Sequence, residues 1–170
     1  MEPFEKTKKE QEFMKAYENL AEPIFRHCFF RVSDREKAKD LAQETFVKTW
    51  EYMVSGKEIL NLKTFLYKVA SNLIIDHYRK HKNVSLDALT EDGFDKASGE
   101  EGADIFADAE YSQVMRVLKD LDEQHQEIII WRYVDGLIPS EIANLLGVTE
   151  NLVSVRLNRA IKKLKEKLRI

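Results

Sequence analysis

Residues 136–168, GLIPSEIANLLGVTENLVSVRLNRAIKKLKEKL, carry two apolar periodicities on either side of one internal glycine, Gly147. Apolar side chains recur every three or four residues in both halves, which indicates two amphipathic helices joined by a tight turn. Pro139 suits the first turn of the first helix, and Thr149 can cap the second through its hydroxyl. This order of signals predicts a helix-turn-helix that continues into a basic helical tail.

The second helix of this motif is a candidate DNA-recognition helix. Its outward positions carry amide, hydroxyl and guanidinium groups, which can bond base edges and phosphates in a major groove. We expect DNA contacts from outward residues such as Asn151, Ser154, Asn158 and Arg159, and Arg156 lies at the edge of the buried stripe. An ordinary helical hairpin with a solvated basic face is the alternative interpretation.

The composition is that of a globular protein rich in helix-forming residues. Of the 170 residues, 44% are hydrophobic and 34% are charged, and the single cysteine, Cys28, excludes an internal disulfide. No apolar stretch approaches the roughly 20 residues that span a bilayer, and the charged N-terminus lacks a signal-peptide core. We therefore expect a cytoplasmic protein that does not insert into membranes.

Charge divides the chain into three parts. Residues 84–110 contain nine acids and one lysine, for a net charge of −8, whereas the flanking segments 1–83 and 111–170 carry +3 and +2. The middle segment is also rich in Gly and Ser, and such a composition favours an extended tether. We predict an all-α chain of two small helical domains, 11–83 and 109–170, joined by a flexible acidic linker over 84–108.

The first domain has helix signals of its own. Ser33 and Glu36 fit a capping box, which predicts a helix from about Asp34 to Met53. Its outward positions include Asp40, Gln43, Glu44 and Lys48. Asn61 can cap a third helix, in which basic residues alternate with aromatic ones.

That third helix has the composition of a surface that stacks bases and holds phosphates. Its polar, basic and aromatic positions outside the apolar stripe include Tyr67, Lys68, Asn72, Arg79 and Lys80. The alternative is a core helix whose aromatic rings are buried and whose terminal cations offset the helix dipole.

Three separated segments together resemble bacterial RNA polymerase sigma factors of the small, two-domain extracytoplasmic-function type. DLAQETFVKTW (40–50) resembles the helix that grips the polymerase clamp, and FLYKVASNLIIDHYRK (65–80) the segment that opens and reads the −10 promoter element. DGLIPSEIANLLGVTENLVSVRLNRAIKKL (135–164) resembles the reader of the −35 element. The resemblance covers nearly the whole chain.

The resemblance implies a role for each segment. Core polymerase would bind Asp40, Gln43, Glu44 and Lys48. Asn72 matches the position that reads an unstacked base, supported by Phe65 and Tyr67, while Lys68, Arg79 and Lys80 hold phosphates. The helix-turn-helix would read the −35 element. The resemblance further implies a dedicated anti-sigma partner and no cofactor.

The chain departs from the family pattern at several positions. Ile138 stands where a Ser or Thr usually caps the first helix of the helix-turn-helix, Phe65 replaces the customary Trp, and Glu150 puts a carboxylate near the DNA. The −35 sequence that this chain reads is therefore expected to be unusual.

Two other functions compete with a sigma factor. A dimeric helix-turn-helix regulator would bind a palindromic duplex without polymerase. An enzyme would need a site, and only His77 and His81 have a spacing that suits zinc, without a third ligand. We expect neither a metal site nor catalysis from this chain.

Overall fold

The computed structural model describes residues 3–88 and 109–169, and within these ranges all regular structure is helical. The chain divides into two compact units, Met1–Gly99 and Glu100–Ile170. The first contains α1 (Pro3–Val32), α2 (Arg35–Val54) and α3 (Leu62–Ala88). The second contains α4 (Ala109–Asp120), α5 (Glu123–Ile129), a π-helical turn (Ile130–Val134), α6 (Pro139–Leu146) and α7 (Glu150–Leu168).

The three helices of the first unit pack against one another around a common core. Ile24, Leu66 and Ile74 are fully buried there, and Cys28 is too, as its apolar surroundings predict. Burial of each such aliphatic side chain contributes about 1.5–3 kcal/mol. An aromatic cluster extends this core between α1 and α2, and its ring centroids lie 4.9–6.1 Å apart (Phe13–Trp50, Tyr17–Phe46 and Phe13–Phe46).

The junction between α1 and α2 differs from the predicted capping box. Ser33 has a φ of +56° and its N–H donates to the Phe29 carbonyl at 2.9 Å, so it terminates α1 instead of starting α2. Asp34 is the cap of α2, and its carboxylate accepts from the Lys37 N–H at 3.1 Å. The prediction that Ser33 caps this helix is therefore wrong.

Hydrogen bonds fix the connection between α2 and α3 at the end of α2 and at the start of α3. The Lys9 ammonium of α1 donates to the Met53 carbonyl at 3.1 Å, and Gly56 turns the chain with a φ of +87°. Asn61 caps α3 as predicted, since its Oδ1 accepts from the Thr64 N–H at 3.0 Å. These contacts position the start of α3 beside the end of α2.

α3 is longer than the sequence predicts. It continues to Ala88, whereas the acidic linker was expected to begin at residue 84. The hydroxyl of Tyr78, in the second half of α3, donates a hydrogen bond to the Arg31 carbonyl of α1. The remainder of the predicted linker, 89–108, lies outside the described residues.

The second unit contains the predicted helix-turn-helix. α6 starts at Pro139, and the Ile138 N–H donates to the Glu141 carboxylate at 3.0 Å, which is one half of a capping box; the other half is missing because Ile138 has no side-chain acceptor. Gly147 ends α6 with a φ of +65°, and Thr149 caps α7 by accepting from the Leu152 N–H at 3.2 Å. The helices cross over a core of buried side chains: Ile142, Ala143, Val153, Leu157 and Ala160.

A π-helical turn separates α5 from the helix-turn-helix. The Asp135 N–H donates to the Ile130 carbonyl five residues earlier, at 2.9 Å, so this turn holds one residue more than an α-helical turn. Trp131 is 3% exposed and Tyr133 is 62% exposed, although only one residue separates them.

Candidate polymerase and nucleic-acid interfaces

One exposed face of α2 holds all four predicted polymerase contacts. Asp40, Gln43, Glu44 and Lys48 are exposed, while Leu41, Ala42, Thr45 and Phe46 on the opposite side are buried. Three- and four-residue steps place the first three on one side of a helix. Lys48 lies 3.9 Å from Glu44, and both side chains are about half exposed.

A groove of about 500 Å³ lies between the second half of α2 and α3. The ring of Phe65 lies 4.7 Å from that of Tyr52, and the Lys57 ammonium lies 5.1 Å from the Tyr52 ring centroid. Asn72 lines the same groove and is exposed. The groove thus combines two aromatic rings and an amide with two ammonium groups, those of Lys48 and Lys57, and two carboxylates, those of Glu51 and Asp76.

Sequence reasoning missed Tyr52 and Lys57 in this groove. Tyr52 falls near the C-terminal end of α2, on a side that helical periodicity does not distinguish from the core. Lys57 falls in the connection between the helices, where periodicity says nothing. Two isolated signals could have drawn attention to them: an aromatic residue close to a helix end and a lysine directly after Gly56.

The exposed face of α3 continues from the groove toward the helix end. Residues 65, 68, 72, 76 and 79 are three or four apart and therefore lie on one side. Lys68, Arg79 and Lys80 are exposed, and Arg79 lies 3.2 Å from Asp76 in a pair that is mostly solvated. Such a solvated pair contributes little to stability and leaves Arg79 able to turn to another anion.

Tyr67 does not belong to this surface. It is 1% exposed, and its ring packs edge-on against His27 at 5.5 Å in the core. The expectation that Tyr67 supports an opened DNA strand is wrong for this fold. Phe65 is partly buried, as an aromatic residue shared between core and surface should be.

In the second unit, the candidate −35 residues divide between two sides of α7. Asn151, Ser154 and Asn158 are exposed, and Val155 beside them is 43% exposed. Arg156 and Arg159 instead line a cleft between α7 and α5. Lys162 and Lys163 of α7 and His125 of α5 share that cleft, and sequence reasoning had not assigned them a role.

Asp122 organises the α5 side of this cleft. It caps α5 by accepting from the His125 N–H at 3.0 Å, and its other oxygen lies 2.7 Å from His125 Nδ1 and 3.9 Å from Lys163 Nζ. Burial alone would raise the pKa of Asp122, but the two His125 hydrogen bonds and the charges of His125 and Lys163 lower it overall. Asp122 therefore stays ionised and holds the His125 ring in place.

Residues 3–88 and 109–169 show neither a metal site nor a membrane-spanning helix. No group of three or more His, Cys, Asp and Glu side chains there could hold a metal ion. The His77 and His81 rings stack at 6.0 Å instead. No helix in the described part of the chain is long and apolar enough to cross a bilayer.

Comparison with known proteins identifies the class. Residues 16–84 match the family described as sigma-70 region 2, and residues 117–166 match that described as sigma-70, region 4. These ranges contain the α2 face, the groove and the helix-turn-helix. The chain belongs to the sigma-70 family of RNA polymerase sigma factors, and several of its relatives are of the extracytoplasmic-function type, which confirms the resemblance.

Individual relatives support the same assignment along most of the chain. The sigma factor SigW of Bacillus subtilis, of the extracytoplasmic-function type, is 30% identical over 156 residues, which is 86% of this chain and 83% of that protein. The sigma factor YlaC of the same organism is 29% identical over 154 residues, 89% of each chain. A protein of this family directs the initiation of transcription with core RNA polymerase at promoters, so a dimeric regulator is not favoured.

Solved structures agree on the fold. The sigma factor RpoE of Bartonella quintana, crystallised with the anti-sigma factor NepR, has a TM-score of 0.71 at 20% identity and covers 94% of this chain and 98% of its own. CnrH, in complex with the cytosolic domain of CnrY, has a TM-score of 0.70 at 20% identity, and the match covers 94% of this chain and 88% of CnrH.

Proposed function

We propose that the first unit of this sigma factor binds core polymerase and reads the −10 element, and that the second unit reads the −35 element. The observation that carries the proposal is the groove between α2 and α3. An exposed amide lines the same groove as a pair of aromatic rings and two lysines, and these groups suit the recognition of a single unstacked base.

The polymerase-binding surface in this proposal is the α2 face with Asp40, Gln43, Glu44 and Lys48. Exposed carboxylates at helical spacing can pair with arginines on a partner, and the matching of opposite charges sets orientation and association rate more than affinity. Lys48 also lines the groove, so binding of polymerase would take place next to the site for the opened strand.

In the −10 site, Asn72 offers two donors and an acceptor to the Watson–Crick edge of a flipped base. Phe65 and Tyr52 give that base an aromatic surface. Lys68, Arg79 and Lys80 follow along α3 to hold phosphates of the strand. Tyr67 has no direct role because it is buried.

In the −35 site, α7 enters the major groove with Asn151, Ser154, Asn158 and the guanidinium groups of Arg156 and Arg159. Either unit alone would bind promoter DNA weakly. Polymerase would hold both at the promoter spacing and raise the effective concentration of the second contact once the first has formed. Catalysis belongs to the polymerase, and we assign none to this chain.

We also propose an anti-sigma protein as a partner, because RpoE, which shares this fold, was crystallised with the anti-sigma factor NepR, and CnrH, which shares it too, was solved with the cytosolic domain of CnrY. It would mask the α2 face or the DNA-facing helices. We propose a cytoplasmic location as well, because the chain would act beside RNA polymerase.

The test is in vitro transcription with bacterial core polymerase and a promoter library. Asn72→Ala should reduce discrimination at the −10 element, whereas Asn19→Ala, an exposed asparagine on α1, should not. Arg156→Ala should weaken dependence on the −35 element. Glu44→Lys should reduce binding to core, with Glu18→Lys as the matched control. If all variants transcribe every promoter like the parent, the residue assignments are wrong; if the parent binds no core, the proposed function is wrong.

A further inference from the structure

Three exposed side chains lie on the side of α7 that faces away from the core of the second unit. A helix turns 100° per residue, so Asn151, Val155 and Asn158 lie within about 60° of one another. The buried residues Val153 and Leu157 lie about 160° from Val155, on the opposite side. Val155 is 43% exposed, and both asparagines are exposed. These three exposed residues form the outer face of α7.

The outer face carries no charge. It offers two amides and one isopropyl group, and the neighbouring Ser154 adds a hydroxyl. Arg156 is the one cation among residues 150–158, and it is partly buried in the cleft against α5, about 100° from Val155. Glu150, the one carboxylate in this range, lies about 140° from Val155. Because the N-terminal residues of a recognition helix contact the bases, neutral groups would read the bases here.

Neutral groups of these two kinds match A·T pairs better than G·C pairs. An asparagine amide can donate to adenine N7 and accept from the adenine N6 amino group. Guanine presents two acceptors, N7 and O6, so the amide oxygen of asparagine would face another acceptor there. A valine methyl group can pack against the C5 methyl group of thymine, which cytosine lacks.

The spacing of the outer face fits a short run of base pairs. α7 rises 1.5 Å per residue, so Val155 lies about 6 Å and Asn158 about 10.5 Å along the helix from Asn151. Successive base pairs are about 3.4 Å apart. A helix that lies along the major groove would therefore present these three side chains to about four consecutive base pairs.

We propose that the outer face of α7 selects −35 elements with an A·T-rich run, in which Val155 contacts a thymine methyl group and Asn151 and Asn158 contact adenines. The inference rests on the function proposed above and adds the bases that the helix prefers. Val155 is then a specificity-determining residue, although its side chain forms no hydrogen bond.

The first measurement selects promoters for transcription by the holoenzyme from a library with a fixed −10 element and a random −35 element. We expect A·T pairs at three positions within about four consecutive base pairs. Asn151→Ala and Asn158→Ala should each reduce the preference for adenine at one of these positions about fivefold or more, because each loses a bidentate contact.

The second measurement removes the thymine methyl group alone, by replacing each selected thymine with uracil in duplex promoter DNA. Loss of one buried methyl group should weaken holoenzyme binding about fourfold at one position. In Val155→Ala the same replacement should have no effect at that position. Val114→Ala, an equal truncation at a 39% exposed valine of α4, should keep the parental uracil effect.

The outcomes separate this inference from the function on which it rests. Selection of G·C pairs throughout the −35 element would overturn it, and so would an equal uracil effect, or none, in the parent and in Val155→Ala. Dependence of transcription on any particular −35 sequence would still support the proposed function. Equal transcription from every −35 sequence would instead contradict the −35 role proposed for the second unit. Thermal unfolding of each variant checks that this unit stays folded.

Discussion

Lys9 is expected to hold the end of α2 and, through it, the groove that contains Asn72. α2 has no basic residue in its last turn, so the Lys9 ammonium, 3.1 Å from the Met53 carbonyl, is the cation at that helix end. Hydrogen bonds to charged groups contribute about 1.5–3 kcal/mol, and surface charges at helix ends about 0.3–1 kcal/mol. Because the contact is only partly buried, Lys9→Met should cost about 1 kcal/mol.

A loss of that size is measurable in two ways. For a unit of this length, about 1 kcal/mol corresponds to a fall in the unfolding midpoint of about 4–8 °C. If the loss is local, amide hydrogen exchange around Ser55 should accelerate about fivefold, because a 1.4 kcal/mol change is a factor of ten. Exchange in α6 and α7 provides an internal reference.

The matched control is Lys6→Met, which removes the same charge from an exposed position one turn away. We expect Lys6→Met to leave both measurements unchanged and Lys9→Met to loosen −10 discrimination as well, since the helix end that it anchors leads into the groove. Identical melting and exchange for the two variants would refute the reasoning, because the Lys9 contact would then have no more effect than a solvated charge.

Other residues give equally specific expectations. Thr149→Ala should destabilise the second unit by about 1 kcal/mol in thermal unfolding, and Thr149→Ser should restore most of it. Tyr67→Ala should cost about 3–5 kcal/mol because it empties a core position, whereas Phe65→Ala should mainly reduce −10 discrimination in transcription assays. Burial, and then the charge of Lys37, lower the pKa of His77 below its ordinary value of 6.5. Protonation therefore opposes folding, so stability should fall as the pH drops from above 6.5 through the lowered pKa, and His77→Gln should flatten that profile in pH-dependent melts.

The sequence predicted several helix ends correctly, because a cap or a turn depends on one or two neighbouring residues. Gly147, Thr149 and Asn61 stand at helix ends, where one residue determines whether the backbone turns or an N–H is capped. Ser33 shows the limit of such signals. Ser33 and Asp34 both have capping oxygens, and only the closure of α1 on Ser33 assigns the cap to Asp34.

The sites were less predictable because they combine distant segments. α3 packs against both α1 and α2, so its buried arc is wide, and periodicity alone could not tell that Tyr67 is in the core. The groove needs Tyr52 from α2, and the basic cleft needs His125 of α5 beside Arg156, 31 residues later in the chain. No spacing rule within one helix connects such pairs.

The π-helical turn at Ile130–Val134 makes the second unit sensitive to the deletion of a residue at this point of the chain. One residue fewer there would leave an ordinary helical turn and rotate everything that follows by about 100°. Trp131 would keep its place, but Leu137, which is fully buried, would lose its registration with the core. A single deletion between α5 and α6 should therefore separate α6 and α7 from the hydrophobic core that supports them.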